Sequence, residues 1–177
     1  NAHRIDHGHF AGSEEAFRHW DEDDPQEVPA SCARCHSAGG LPIALKNGLK
    51  AGSSVAQPLS NGLQCETCHN DLEAYTIYEV GEVEFPSGAM IDSGDGQMNL
   101  CMNCHQGRNS TPNVNRLVAD LDPDAVSEDL GFQNVHYFAA GATLFGDEAQ
   151  GAYQYDGQEY AGIFPIYHLW SRIRTCF

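Results

Sequence analysis

Three copies of one pentapeptide constrain this chain more than any other feature. They are Cys32-Ala33-Arg34-Cys35-His36, Cys65-Glu66-Thr67-Cys68-His69 and Cys101-Met102-Asn103-Cys104-His105, and they take up six of its seven cysteines. Each reads C-x-x-C-H, a spacing that holds two thiols and an imidazole on one side of a short turn. The pattern suits covalent haem attachment, in which the thiols add to the porphyrin vinyl groups and the histidine reaches the iron. Cys32, Cys35, Cys65, Cys68, Cys101 and Cys104 are therefore the expected thioether donors of three c-type haems. His36, His69 and His105 are the expected proximal iron ligands.

Two rival chemistries fit less well. The four thiolates of two motifs would make a tetrahedral zinc site. That leaves the third motif, and a histidine after every motif, unexplained. Thioredoxin-like redox chemistry would need one C-x-x-C beside a βαβ unit, which the chain lacks.

With 177 residues and three motifs, each haem has only about 59 residues, against roughly 100–200 for an ordinary domain. Eighteen glycines and eight prolines interrupt the apolar segments, so the haems themselves are expected to fill the core. The expected fold is mostly irregular coil with short α-helices and a few short β-hairpins, wrapped around covalently bound haems. It forms one multihaem cytochrome c domain over residues 1–177, with no segment reading as a linker. Helical spacing covers residues 14–20, with Ser13 as N-cap and Ala16, Phe17 and Trp20 on one side. Residues 41–60 read as loop with at most a short helical turn. Residues 74–85 alternate and suit two short strands around Gly81. Ser110, Thr111 and Pro112 open a helix running to Leu121. Residues 134–144 form another helix candidate, and Asp156-Gly157 marks a hairpin within residues 153–160.

The formal net charge is −16, and three ferric haems with ionised propionates would bring it to about −19. Such a surface repels nucleic acid and anionic membranes. No apolar run reaches the roughly 18 residues that span a bilayer. Asn1 follows no n-region or h-region, so a processed, secreted chain is expected, extracellular or periplasmic, because c-type attachment accompanies export.

The sixth iron ligand decides the chemistry: a protein ligand leaves only electron exchange, and an open site admits small molecules. His3, His7, His9, His19, His136 and His168 remain once the proximal histidines are set aside. Met90, Met98 and Met102 are also present, but Met102 lies inside a motif. His9, His19 and His136 are the favoured distal ligands, the latter two for their aromatic neighbours, against the plain alternative of hydrogen-bonded surface histidines. His168 is a further candidate for a distal or inter-subunit position. Arg18, Arg34 and Arg108 lie near motifs and suit propionates. The acidic run 21–24 reads as a solvated loop, and residues 92–96 lack the full oxygen pattern of a calcium loop.

With these segments in hand, the chain resembles secreted multihaem c-type cytochromes of bacteria and archaea that respire on extracellular acceptors, including types that polymerise into filaments. The matching stretches are residues 9–24 (HFAGSEEAFRHWDEDD), 29–37 (PASCARCHS), 101–111 (CMNCHQGRNST), 122–131 (DPDAVSEDLG), 134–146 (NVHYFAAGATLFG) and 153–162 (YQYDGQEYAG). The resemblance implies distal ligation by the histidines matching His9, His19 and His136. It also implies electron transfer to redox partner proteins or extracellular acceptors, with homopolymer formation in some members. Such proteins often continue into another C-x-x-C-H after the Tyr-Asp-Gly turn. Cys176 is then either the first cysteine of a truncated fourth motif or a separate thiol.

The leading expectation is thus an electron carrier, not an enzyme, with three bis-histidine haems in a filament or relay. A soluble periplasmic shuttle is one alternative. A multihaem oxidoreductase with one open haem, reducing small oxyanions, is another; surplus histidines and the acidic charge argue against it.

Overall fold

Glycine-rich and polar stretches cut this chain into pieces too short for long helices, and the elements are correspondingly brief. A computed structural model describes residues 8–49, 53–122, 124–136 and 139–162. They fall into two compact units, Asn1–Glu79 and Val80–Phe177, built of short helices, antiparallel strand pairs of two or three residues, and coil.

In the first unit a 3₁₀ turn at Gly8–Phe10 precedes α1 (Glu15–Arg18), a single turn that no side chain caps. The expected helix over 14–20 is thus shortened at both ends. Phe17 and Trp20 are buried as its spacing predicts, while Ala16 is exposed. β1 (Glu27–Val28) pairs with β2 (Gln57–Pro58). The first motif lies on α2 (Ala30–His36).

The segment read as loop after residue 40 instead opens with a helix, α3 (Gly40–Lys46). Pro42 sits in its first turn, where the missing N–H has no intrahelical partner to lose. Leu41 and Ala44 are buried, and Ala33 of α2 is fully covered. The second motif forms α4 (Cys65–Cys68), where the Gln64 backbone N–H donates to Thr67 Oγ1 at 3.1 Å and that hydroxyl donates to the Ala38 carbonyl at 2.8 Å. β3 (His69–Asp71) then pairs with β4 (Thr76–Ile77). The core cluster here is small: Trp20, Val28 and Ala33, with Cys32 and Leu59 against them.

The second unit begins with β5 (Val83–Glu84) and β6 (Met90–Ile91), which pair with each other. Both strands expected in 74–85 therefore exist as β4 and β5, but each pairs elsewhere. α5 (Gly96–His105) carries the third motif and α6 (Thr111–Val118) follows, with proline in its first turn. Ser110 makes no side-chain cap there. α7 (Ala140–Ala149) lies six residues beyond the expected start at 134 and kinks at Gly146, whose φ is 37°. A Cβ on Gly146 would stand 2.3 Å from the Ala161 carbonyl oxygen, so only glycine fits. The Asp156-Gly157 turn forms, but no flanking strands do. Val83, Phe85, Ile91, Met102, Ala142, Phe145 and Ala149 make the core, so Met102 is committed to packing.

Residues 92–99 show why the calcium-loop reading fails: their oxygens are used internally. Asp92 Oδ1 accepts from Gly94 N at 2.8 Å and Asn99 Nδ2 at 2.7 Å, and Asp95 caps α5 by accepting from Gln97 N and Met98 N. Asp95→Ala is expected to lower stability by about 0.5–2 kcal/mol in chemical denaturation, through loss of the cap. The Asn99 side chain, then the Gly94 backbone, hold the Asp92 carboxyl below its ordinary 3.8. A carboxyl depressed by folding stabilises above its unfolded pKa, and the contribution is lost as pH falls through the folded value. Amide exchange at the start of α5 should therefore rise below about pH 4, and Asp92→Asn should remove that dependence.

Candidate haem sites

Helical spacing i, i+3 puts the two sulfurs of each motif one turn apart on one side. His36 and His105 end their helices, and His69 begins β3. Cys65 and Cys101 are exposed, and Cys32, Cys35, Cys68 and Cys104 half-buried. Although the residue is exposed overall, local desolvation of its sulfur pushes the Cys101 thiol pKa up, and the Asp95 charge adds to it.

The histidines test whether haem fits. The His36 Nδ1 lies 2.9 Å from the carbonyl oxygen of Ala16. An imidazole that donates Nδ1–H to a carbonyl carries its lone pair on Nε2, the tautomer an iron ligand needs. Phe17 and Trp20 brace the same ring, with centroids 6.4 and 5.6 Å away. His69 Nδ1 is buried with no hydrogen-bond partner, an orphan on the motif histidine itself. Tyr75 meets that imidazole edge-on at 5.5 Å and holds a left-handed φ of 55°, uncommon for an aromatic residue. The donor set fits haem: paired sulfurs and a following histidine recur at each motif, and at the first the imidazole is oriented by a carbonyl.

The structure sets the three favoured distal histidines beside three different motifs. His9 lies in the 3₁₀ turn, and its carbonyl accepts from Leu63 N at 2.6 Å, two residues before Cys65. Arg18 fastens the same region by donating to the Gly12 carbonyl and Asn61 Oδ1, and it also reaches Asp21 at 3.3 Å. It therefore ties the Gly12 turn to Asn61. His19 follows α1, its ring 5.1 Å from Trp20, which in turn packs on His36. Its Nδ1 lies 2.9 Å from Glu15 Oε1, so Nε2 is again the nitrogen turned to other uses. His136 stands by the exit of α5, where Arg108 N donates to the Val135 carbonyl at 2.9 Å. Burial first, then the Arg108 charge, lowers the His136 pKa and favours the neutral imidazole that binds metal. His3, His7, His168 and Cys176 lie outside the described residues, as do Tyr137 and Phe138 beside His136. Among the described residues no cluster of three His, Cys, Asp or Glu side chains is gathered to hold a bare metal ion.

Sequence reasoning missed Ala16, Glu15 and Tyr75. A backbone carbonyl and a positive φ leave no mark in residue type, but Glu15 four residues before His19 was a readable signal.

Comparison with known proteins finds cytochromes of the same kind. Residues 9–70 match the family described as cytochrome c554 and c-prime. The chain is 28% identical over 174 residues to the C-type polyheme cytochrome OmcB of Geobacter sulfurreducens strain DL-1/KN400, covering 82% of this chain and 22% of that protein. The C-type polyheme cytochrome OmcC of Geobacter sulfurreducens strain PCA is 27% identical over 189 residues, covering 90% of this chain and 23% of its own length. The chain thus spans under a quarter of these relatives. No solved structure matches it. Motifs and relatives point the same way: the chain is similar to multihaem c-type cytochromes, proteins of electron transport. Among the described residues no helix is long and apolar enough to cross a membrane.

Proposed function

We propose that this chain holds three haems, each closed by two histidines, and relays electrons outside the cytoplasm. One observation carries the reading: His9, His19 and His136 lie beside the second, first and third motifs in turn. Each motif then has one of the three histidines to supply its sixth position. A bound haem supplies an iron that alternates between ferric and ferrous states. The protein's part is to hold two imidazoles in place and exclude small ligands. Ala16 orients His36, Glu15 orients His19, and Arg108 anchors the backbone before His136.

Because the relatives are polyheme cytochromes and the chain matches under a quarter of each, we assign its three haems to one stretch of a longer relay. An extracellular filament, with His168 reaching a neighbouring subunit, is one form of that relay. Redox proteins or extracellular acceptors would receive the electrons. Intact-mass measurement tests the haem count: the polypeptide should carry three haems, and each Cys→Ser pair at a motif should remove one. Two haems or fewer in the unaltered chain contradicts the proposal. Sedimentation separates filament from soluble shuttle, since a single species near 19.3 kDa plus haems excludes the filament.

A further inference from the structure

Helix α3 is apolar on two sides. Leu41 and Ala44 are buried within the first unit. Pro42, Ile43 and Leu45 are only half covered, and with Tyr78 they line an open groove of about 530 Å³. That volume lies within the roughly 300–1,000 Å³ of small-molecule sites. Two charged residues, Lys46 and Glu79, complete the lining. A helix with a second apolar side needs something to cover it.

The occupant is identified by what borders the groove. Tyr78 N donates to the Cys68 carbonyl at 3.0 Å, so one wall is tied to the second motif. A porphyrin tethered through Cys65 and Cys68 is apolar over its faces and anionic at its propionate edge. The groove is lined by apolar side chains together with one lysine and one glutamate.

We propose that the groove of Pro42, Ile43, Leu45 and Tyr78 seats the haem of the second motif, with the Lys46 ammonium pairing a propionate. This rests on haem attachment at Cys65 and Cys68 but not on which histidine closes the iron. Lys46 is the cation among the residues that line this groove. A cation near the propionate edge favours the less positive ferrous iron and raises the potential. Glu79 opposes it.

The test is a redox titration that reports the second haem alone. Cys65→Ser leaves one vinyl group of that haem unreacted, extends its conjugation and moves its visible band to longer wavelength. In that background Lys46→Gln should shift the oxidised-to-reduced ratio of the displaced band about three- to tenfold toward oxidised, tenfold being about 59 mV for one electron. Lys46→Arg should restore it, and Glu79→Gln should shift it the other way. The two undisplaced haems should stay unmoved. A midpoint unchanged by Lys46→Gln, or an equal shift of all three haems, overturns the proposal. If Cys65→Ser impairs assembly, Lys46→Gln and Lys46→Arg in the unaltered chain still decide it. One component of the three must fall with glutamine and return with arginine. A haem count below three by mass contradicts the electron-relay reading instead, so the two failures are distinguishable.

Discussion

Gly40→Ala should destabilise the first unit by about 3 kcal/mol or more and reduce haem attachment at Cys32 and Cys35. A Cβ at Gly40 would stand 1.8 Å from the Ala33 carbonyl oxygen and 2.7 Å from Ser37 Oγ. Neither can retreat cheaply. Ser37 Oγ donates to that carbonyl at 2.7 Å and accepts from Gly40 N at 3.1 Å, so helix α3 is locked against α2 through a bonded junction. Ala33 has no exposed surface, and it shares α2 with Cys32, Cys35 and His36. Pushing α3 away therefore disturbs the helix that presents the first haem site. Thermal denaturation read by far-ultraviolet dichroism, with haem per chain by mass, checks both effects. A variant with unchanged midpoint and three haems would show that the two helices part without cost.

His136→Gly should leave the fold intact and open one haem of the three to carbon monoxide. His136 holds a φ of 82°, a region glycine enters without strain. The substitution removes the imidazole and relieves the backbone together. The local ties use no atom of the His136 side chain, Arg108 N donating to the Val135 carbonyl and His136 N to Asn134 Oδ1, and both survive the change. A reduced spectrum in which about one third of the haem shifts with carbon monoxide is expected. No shift at all would mean that His136 is not an iron ligand.

The chemistry of this chain was legible because thioether attachment demands a fixed local spacing, and three copies of it stand in the sequence. Much of the fold was not. Residues 41–60 read as loop with at most a short helical turn because they are rich in Gly, Ser, Pro and Asn, and α3 occupies their first part. In fact Gly40 permits the close crossing over Ala33, and Pro42 sits in the first turn, where it is tolerated. The helix expected from residue 134 starts instead at Ala140. The Val135 carbonyl is taken by Arg108, and a Cβ at Gly141 would lie 3.0 Å from the His105 carbonyl oxygen. These are long-range contacts that periodicity does not record. Strands β4 and β5 were visible as alternation, but their partners β3 and β6 were not. Of the distal candidates, His9 is positioned by a main-chain hydrogen bond, which carries no residue signature, whereas the His136 N–H donates to Asn134 Oδ1 at 2.8 Å, a local turn that the asparagine two residues earlier could have signalled. His19 instead sits beside Trp20, whose ring also packs on His36.

The most direct test of the central claim is the visible spectrum of the dithionite-reduced protein before and after carbon monoxide. Three haems, each closed by two protein imidazoles, predict a low-spin spectrum that carbon monoxide leaves unchanged. A clear shift in the unaltered chain would contradict the account and reveal an open iron, as a reductase of small oxyanions requires.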